Sequence, residues 1–239
     1  MEHLPWYTAK QPIIALAPMD GYTDSAMRQV CKSVNKNIVL FTEFTSADGL
    51  HHGAKKLREK LQFHPDEKPI IAQIFGKNTE TFISAARYIE EQGFAGIDLN
   101  MGCPSKTVVK SEHGIALRKR PELAAALVKA VVQATDLPVS VKTRLGWSDA
   151  DSLIEFGKRI QDAGARLITV HDRTYKQGIG PGVNYQPVYE LKEQLAIPVI
   201  GNGDIVSLKD GYTKLHNLDG FMIGRAAIGY PWIFREIKH

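Results

Sequence analysis

Several things are scarce in this 239-residue chain, and each absence excludes something. There are two cysteines, Cys31 and Cys103, too few for a disulfide framework or a zinc cluster of thiolates. No apolar run approaches the roughly 20 residues that a membrane-crossing helix needs. Met1–Lys10 lacks the charged-then-apolar pattern of a secretion signal, because Trp6 and Tyr7 stand among polar residues. A cytoplasmic protein with free thiols is expected. The histidines have no metal-ligand spacing, and His51-His52 has no thiol or carboxylate partner close in sequence, so no metal is expected. Low-complexity stretches and interdomain linkers are absent as well. The charge imbalance is small: the net charge is +4, which suits a polyanionic partner and many metabolic enzymes equally.

What is present is a repeat of pattern. Short apolar or β-branched runs recur roughly every 25 to 40 residues, as repeated supersecondary units do. They are Ile13–Pro18, Ile38–Phe44, Pro69–Phe75, Gly96–Met101, Pro138–Arg144, Leu167–His171, Ile197–Gly201 and Gly220–Gly224. Such continuous runs mark parallel strands covered on both faces. Helical patterns lie between them. Thr79–Gln92 aligns Phe82, Ile83, Ala86 and Ile89 on one stripe and stops at Gly93. Pro121–Thr135 opens with proline in its first turn, Asp149–Ala163 carries Leu153, Phe156 and Ile160, and Ser207–His216 opens with a serine cap. Eight strands alternating with helices predict an α/β fold, a (β/α)8 TIM barrel forming a single domain over 1–239. A doubly wound sheet is the alternative, but the first strand ends in Ala-Pro-Met-Asp-Gly and lacks the GxGxxG turn of that fold.

In such barrels chemistry gathers at the C-terminal ends of the strands. Reactive or polar residues stand there at almost every strand: Pro18-Met19-Asp20, Gln73, Asn100, Cys103, Lys142, Arg144, His171, Asn202-Gly203-Asp204 and Gly224-Arg225. The glycines after strands seven and eight let backbone N–H groups approach an anion, and Arg225 adds a guanidinium. Ala226–Ile237 is the expected extra helix of that phosphate site, whose ligand is a sugar phosphate or a flavin mononucleotide. Lys142 stands in an otherwise apolar strand, a costly position unless it meets an anion or an electron-rich ring. Gln73 has an amide able to read the edge of a planar ring. Cys103, between glycine and proline just past a strand end, is a candidate reactive thiol. No Cys/His/Asn set accompanies it, so general-acid chemistry fits better than acyl transfer.

The runs Ala17-Pro18-Met19-Asp20-Gly21-Tyr22-Thr23-Asp24, Asn100-Met101-Gly102-Cys103-Pro104-Ser105-Lys106, Val141-Lys142-Thr143-Arg144-Leu145-Gly146-Trp147, Thr169-Val170-His171-Asp172-Arg173-Thr174 and Gly201-Asn202-Gly203-Asp204-Ile205 together resemble the tRNA-dihydrouridine synthases, above all their bacterial branch. The likeness runs in order from about residue 12 to the end. It implies an FMN-dependent oxidoreductase, reduced by NADPH, that converts uridine in tRNA to 5,6-dihydrouridine. By matching motifs it implies that Pro18, Met19 and Asp20 line the flavin and that Gln73 and Lys142 contact the isoalloxazine. His171 would serve the ribityl-phosphate side. Asn202, Gly203, Asp204, Gly224 and Arg225 would hold the phosphate end. Cys103 would be the proton donor, and Asn100 and Arg144 would seat the uracil. Lys106, Lys110, Arg118, Lys119, Arg120, Arg173 and Lys176 are candidates to hold the RNA backbone.

The chain departs from the family pattern at Asp172, where glycine is usual, at Glu112-His113, where a small pair is common, and at Tyr185, where tryptophan is usual. It ends at His239, where the family usually adds a helical RNA-binding domain. The rival readings are another FMN barrel of the dihydroorotate dehydrogenase kind, a non-catalytic RNA-binding barrel, and a flavin-free phosphosugar lyase or isomerase.

Overall fold

The computed structural model describes residues 4–6, 12–178, 180 and 182–235. Among the described residues nine strands form one all-parallel sheet: β1 (Ile13–Leu16), β2 (Leu40–Phe41), β3 (Thr45–Ser46), β4 (Ile70–Phe75), β5 (Gly96–Met101), β6 (Val139–Arg144), β7 (Leu167–His171), β8 (Val199–Asn202) and β9 (Gly220–Ile223). Neighbours pair in sequence order from β4 to β9, and β9 pairs with β1. Leu16 N donates to Val39 O at 3.0 Å and Val39 N to Ile14 O at 2.9 Å, which joins β1 to the run leading into β2. The sheet therefore closes into the expected barrel.

The helices are α1 (Ser25–Val34), α2 (Ala47–His51), α3 (Lys55–Lys60), α4 (Thr79–Glu91), α5 (Lys106–Lys110), α6 (Pro121–Ala134), α7 (Leu153–Asp162), α8 (Gln186–Gln194) and α9 (Leu208–Leu215). Their starts follow the capping signals in the sequence. Asp24 accepts from Met27 N, Asn78 from Glu80 N and Ser207 from Asp210 N. The core is double, as alternation along each strand demands. Ile13, Ala15, Phe41, Ile71, Leu167, Ile200 and Met222 fill the barrel, with Trp6 packed against them. Ile14, Leu16, Ile70, Ala72, Phe82, Ile89 and Val128 fill the layer between sheet and helices.

Three elements differ from expectation by more than two residues, each for a local reason. The run Ile38–Phe44 yields only β2, with β3 following separately. Thr42 Oγ1 accepts the Gln73 N–H at 3.0 Å, so a side chain takes a ladder donor and the strand is interrupted. α7 begins at Leu153 instead of Asp149, because the buried Arg118 gathers Leu145 O and Ser152 Oγ and holds the connecting residues in a turn. The helix expected over Ala226–Ile237 is instead two 3-10 turns, Arg225–Ala227 and Pro231–Phe234. Gly229 at φ +71 and Pro231 separate them. The last two residues of that segment, 236 and 237, lie outside the described residues.

Candidate functional site at the barrel mouth

Alternate residues of each strand point into the barrel, and toward the C-terminal end they turn polar. Beside the inward Ile71 and Leu167 stand Gln73, Asn100, Lys142, His171 and Asn202. A cleft of about 220 Å³ opens there. Its walls come from the ends of β1, β6, β7, β8 and β9: Pro18, Met19, Lys142, His171, Asn202, Gly203, Asp204, Gly224 and Arg225, with Ala17, Ile205, Val206 and Ala226. Of the expected cofactor residues only Asp20 and Gln73 stand outside this lining. Asp20 is exposed and accepts from Lys60 Nζ at 2.6 Å. Gln73 is fully buried beneath Asn100. Val206 is a wall residue that sequence reasoning did not pick out, and Ile205 and Ala226 entered it only as members of longer runs, because nothing in an ordinary apolar side chain distinguishes a wall from a core.

The phosphate-like end of the cleft has the features an anion needs. Among the described residues, the backbone N–H groups of Gly203, Gly224 and Arg225 donate to no protein acceptor. Gly203 sits at φ +138, and a Cβ there would run into the Asp172 carboxylate, so only glycine fits. Arg225 projects from the 3-10 turn and pairs with Asp204 Oδ1 at 2.6 Å. The Arg173 guanidinium on the other Asp204 oxygen holds that carboxyl below its ordinary range.

Lys142 Nζ donates to Asn202 Oδ1 at 2.9 Å, and Asn202 Nδ2 donates to Met222 O at 2.8 Å. Burial, with Arg144 close by, lowers the Lys142 pKa to about 8, against the opposing pull of Asp98. His171 Nδ1 has no hydrogen-bond partner among the described residues and lies 3.2 Å from Asp172 Oδ1. Burial, reinforced by Lys142 and Arg144, pushes the imidazole well below its usual pKa, so it is neutral. Unsatisfied amides, a neutral imidazole and a desolvated ammonium in one cleft form a donor set that fits a phosphate joined to a polar chain and a planar ring.

Cys103 is not part of the cleft lining. It stands on the adjoining rim, in the loop after β5, and is partly exposed. Asn100 Oδ1 accepts from both Gly102 N (3.1 Å) and Cys103 N (2.9 Å), while Arg144 Nε donates to Gly102 O at 3.0 Å. Burial raises the thiol pKa, with the Ser105 amide, Arg144 and Lys142 pulling the other way, so the sulfur keeps its proton at neutral pH. Arg144 Nη1 also donates to Thr174 O and Gly178 O, tying the loop after β7 to the loop after β5. Cys31, by contrast, is wholly buried on α1, as expected of a packing cysteine.

Two of the expected RNA-facing cations are corrected by their burial. Arg118 stacks over Phe156 and donates to Leu145 O, and Arg173 is consumed by Asp204. Lys106, Lys110, Lys119, Arg120 and Lys176 are exposed, and Lys119 lies 3.4 Å over the Trp147 ring, which stacks on Tyr175. Among the described residues no group of three His, Cys, Asp or Glu side chains could hold a metal, and no helix is long and apolar enough to cross a membrane.

Fold and site together define a (β/α)8 barrel with an anion-fitting cleft and a protonated thiol on the same mouth. Residues 15–239 match the family described as Dihydrouridine synthase (Dus). The chain is 39% identical over 226 residues to probable tRNA-dihydrouridine synthase 1 of a Synechocystis species, covering 93% of this chain and 63% of that protein. Against tRNA-dihydrouridine synthase B of Xanthomonas campestris it is 38% identical over 231 residues, covering 95% and 69%. Against the Proteus vulgaris protein of the same name it is 37% identical, covering 98% and 72%. The chain thus belongs to the dihydrouridine synthase family and spans between about three fifths and three quarters of the length of these relatives. A solved structure of a variant of NCR from Zymomonas mobilis superposes with a TM-score of 0.63 at 14% identity, covering 91% of this chain and 83% of that one, a likeness of fold alone.

Proposed function

We propose that this protein reduces uridine to 5,6-dihydrouridine in tRNA, in the cytoplasm, with FMN as its flavin and NADPH as reductant. The observation that carries the reading is the pairing, on one barrel mouth, of free backbone amides at Gly203 and Gly224 with a protonated Cys103 thiol on a tethered loop. Gly203, Gly224 and Arg225 bind the phosphate, and His171 serves the polar chain beside it. Lys142 addresses the ring edge, with Gln73 buried behind it as a support, and Pro18, Met19 and Asp20 bound its other side. The hydride for uracil C6 is what FMN supplies when bound.

Cys103 holds the proton for C5 and presents it from the facing rim, where Asn100 and Arg144 fix its loop and complete the seat of the uracil. The base has to leave its stack to reach this mouth, at a cost of roughly a few kcal/mol. The exposed lysines of the rim and the Trp147–Tyr175 stack offer phosphate and base interactions that offset that cost. The test is dihydrouridine mapping on tRNA from cells with and without the gene, each complemented by wild type or Cys103→Ala. Sites that vanish with the gene and return only with wild type support the reading. An unchanged map, or purified protein that turns over dihydroorotate instead, overturns it.

A further inference from the structure

Below the rim thiol runs a chain of buried hydrogen bonds that ends on Asp98 and Ser140, two residues with no part in the proposed reaction. Asp98, at the middle of β5, is wholly buried. Ser140 Oγ donates to its Oδ1 at 2.6 Å and Gln73 Nε2 to its Oδ2 at 2.7 Å. Gln73 Oε1 in turn accepts from Asn100 Nδ2 at 3.0 Å, and Asn100 Oδ1 accepts from Gly102 N and Cys103 N. We propose that Asp98 is a positioning residue whose carboxylate sets the direction of this chain and thereby fixes the loop that carries Cys103.

A side-chain amide has two ends of nearly equal shape and opposite polarity, so packing alone does not choose between its flipped forms. An ionised carboxylate only accepts. Facing Asp98, Gln73 has to present its NH2 group, which turns its carbonyl toward Asn100. Asn100 then has to present its own NH2 to Gln73, which leaves its carbonyl for the two loop amides. Reversal at any link would set the Asn100 NH2 group against the N–H of Gly102 and Cys103, donor against donor. The carbonyl side of the loop is held by other groups: Met101 O by Thr143 Oγ1, Gly102 O by Arg144 and Cys103 O by the Ile115 amide. Among the described residues the Gly102 and Cys103 amides have no acceptor other than Asn100 Oδ1, so the orientation of that one side chain decides whether both are satisfied.

The functional consequence rests on the reading of Cys103 as proton donor; the structural test does not. It is amide hydrogen exchange at Gly102 and Cys103 in the full chain as purified. Gln73→Glu sets two carboxylates against each other at Asp98; their repulsion drives the new side chain off Asp98 and out of register with Asn100, and is expected to speed exchange at both amides by about tenfold, the value of one net hydrogen bond. The double variant Asp98→Asn with Gln73→Glu inverts the pair, so that the new amide donates to the new carboxylate. The second oxygen of that carboxylate still accepts from Asn100, and protection is expected to return to within about twofold of wild type. Exchange unchanged in Gln73→Glu, or a folded double variant no better protected than the single one, overturns the proposal. Should Gln73→Glu not fold, Gln73→Met, of similar size and with no polar end, replaces it: fast exchange supports the chain and wild-type exchange refutes it. If instead the proton-donor reading is the one at fault, Cys103→Ala retains full product formation while the exchange results stand.

Discussion

Asp172 is a wholly buried carboxylate with no hydrogen-bond partner for either oxygen among the described residues, and replacing it should stabilise the protein. The carboxylate rests against the backbone of Gly203, with Arg173 Nη1 at 3.7 Å, beyond hydrogen-bond reach. Burial lifts its pKa from 3.8 to about 6, Asp204 adding to the rise and Arg173 opposing it. At about 1.4 kcal/mol per pH unit, ionisation in the folded state costs about 3 kcal/mol relative to the unfolded chain. Because the folded pKa is the higher one, the cost is absent below about pH 4, grows between 4 and 6, and is complete above 6. Asp172→Asn removes the charge at nearly constant shape, and the new amide can donate to His171 Nδ1, which lies 3.2 Å from the present Oδ1. The variant should match wild type near pH 4 and exceed it by up to about 3 kcal/mol at pH 8, roughly 6–12 °C in Tm for a chain of this length. Thermal and urea unfolding of both proteins at pH 4.5, 6 and 8 measures this. A gain that does not change with pH, or a loss at pH 8, would refute the assignment of the cost to the ionised carboxylate.

Cys103→Ala should keep the flavin absorbance of the purified protein and lower product formation by about 10²–10⁴-fold, the usual worth of a general acid; full activity in a tRNA reduction assay would contradict the assignment. Lys142 loses its charge as pH rises through about 8, so flavin retention by wild type should fall between pH 7 and 9, whereas Lys142→Met should bind more weakly and without that step; parallel pH titrations of FMN affinity decide. Arg28 and Glu67 form a wholly buried pair, and Arg28→Met strands the carboxylate, which should destabilise by about 3–5 kcal/mol in urea unfolding, most of it recovered by adding Glu67→Gln. Replacing Lys106, Lys110, Lys119 and Lys176 by alanine should weaken tRNA binding and flatten its salt dependence by about 0.7–0.9 in log–log slope for each phosphate no longer neutralised, read from filter binding between 50 and 200 mM salt.

The barrel was legible in the sequence because buried parallel strands and capped helices write continuous signals. The spacing of eight apolar runs survives errors of a few residues at any one of them. Most of the cleft was legible for a related reason: polar residues at strand ends are hard to explain as core. Lys142 stands out as a lone charge in an apolar run. Asp98, between Ile97 and Leu99, carries the same signal with the opposite sign, yet it lies mid-strand, away from the ends where chemistry is expected, as does Ser140. What stayed hidden was set by partners distant in sequence. Arg118 and Arg173 read as rim cations, since an arginine just beyond a strand or helix usually reaches water. Their burial is decided by Leu145 O and by Asp204, which no local pattern announces. The break in the strand at Thr42 is likewise made by one hydroxyl meeting the Gln73 amide from the next strand.

The inward side chains of the barrel also link binding to stability. Lower in the barrel they are apolar, as at Ile71, Leu167 and Ile200; near the mouth two cations, Lys142 and Arg144, are desolvated, with Asp98 and Asp172 as the carboxylates near Lys142 and Asp172 as the one acting on Arg144. Burial lowers the pKa of both cations and raises that of Asp98 to about 6, so each ionised form is disfavoured by the fold that holds it. An anionic or electron-rich ligand entering the cleft supplies the missing counter-charge, favours protonated Lys142, and stabilises the folded state by the same interaction that binds the ligand. The cost of burying charge at this mouth and the affinity of the mouth for an anionic or electron-rich ligand are therefore coupled.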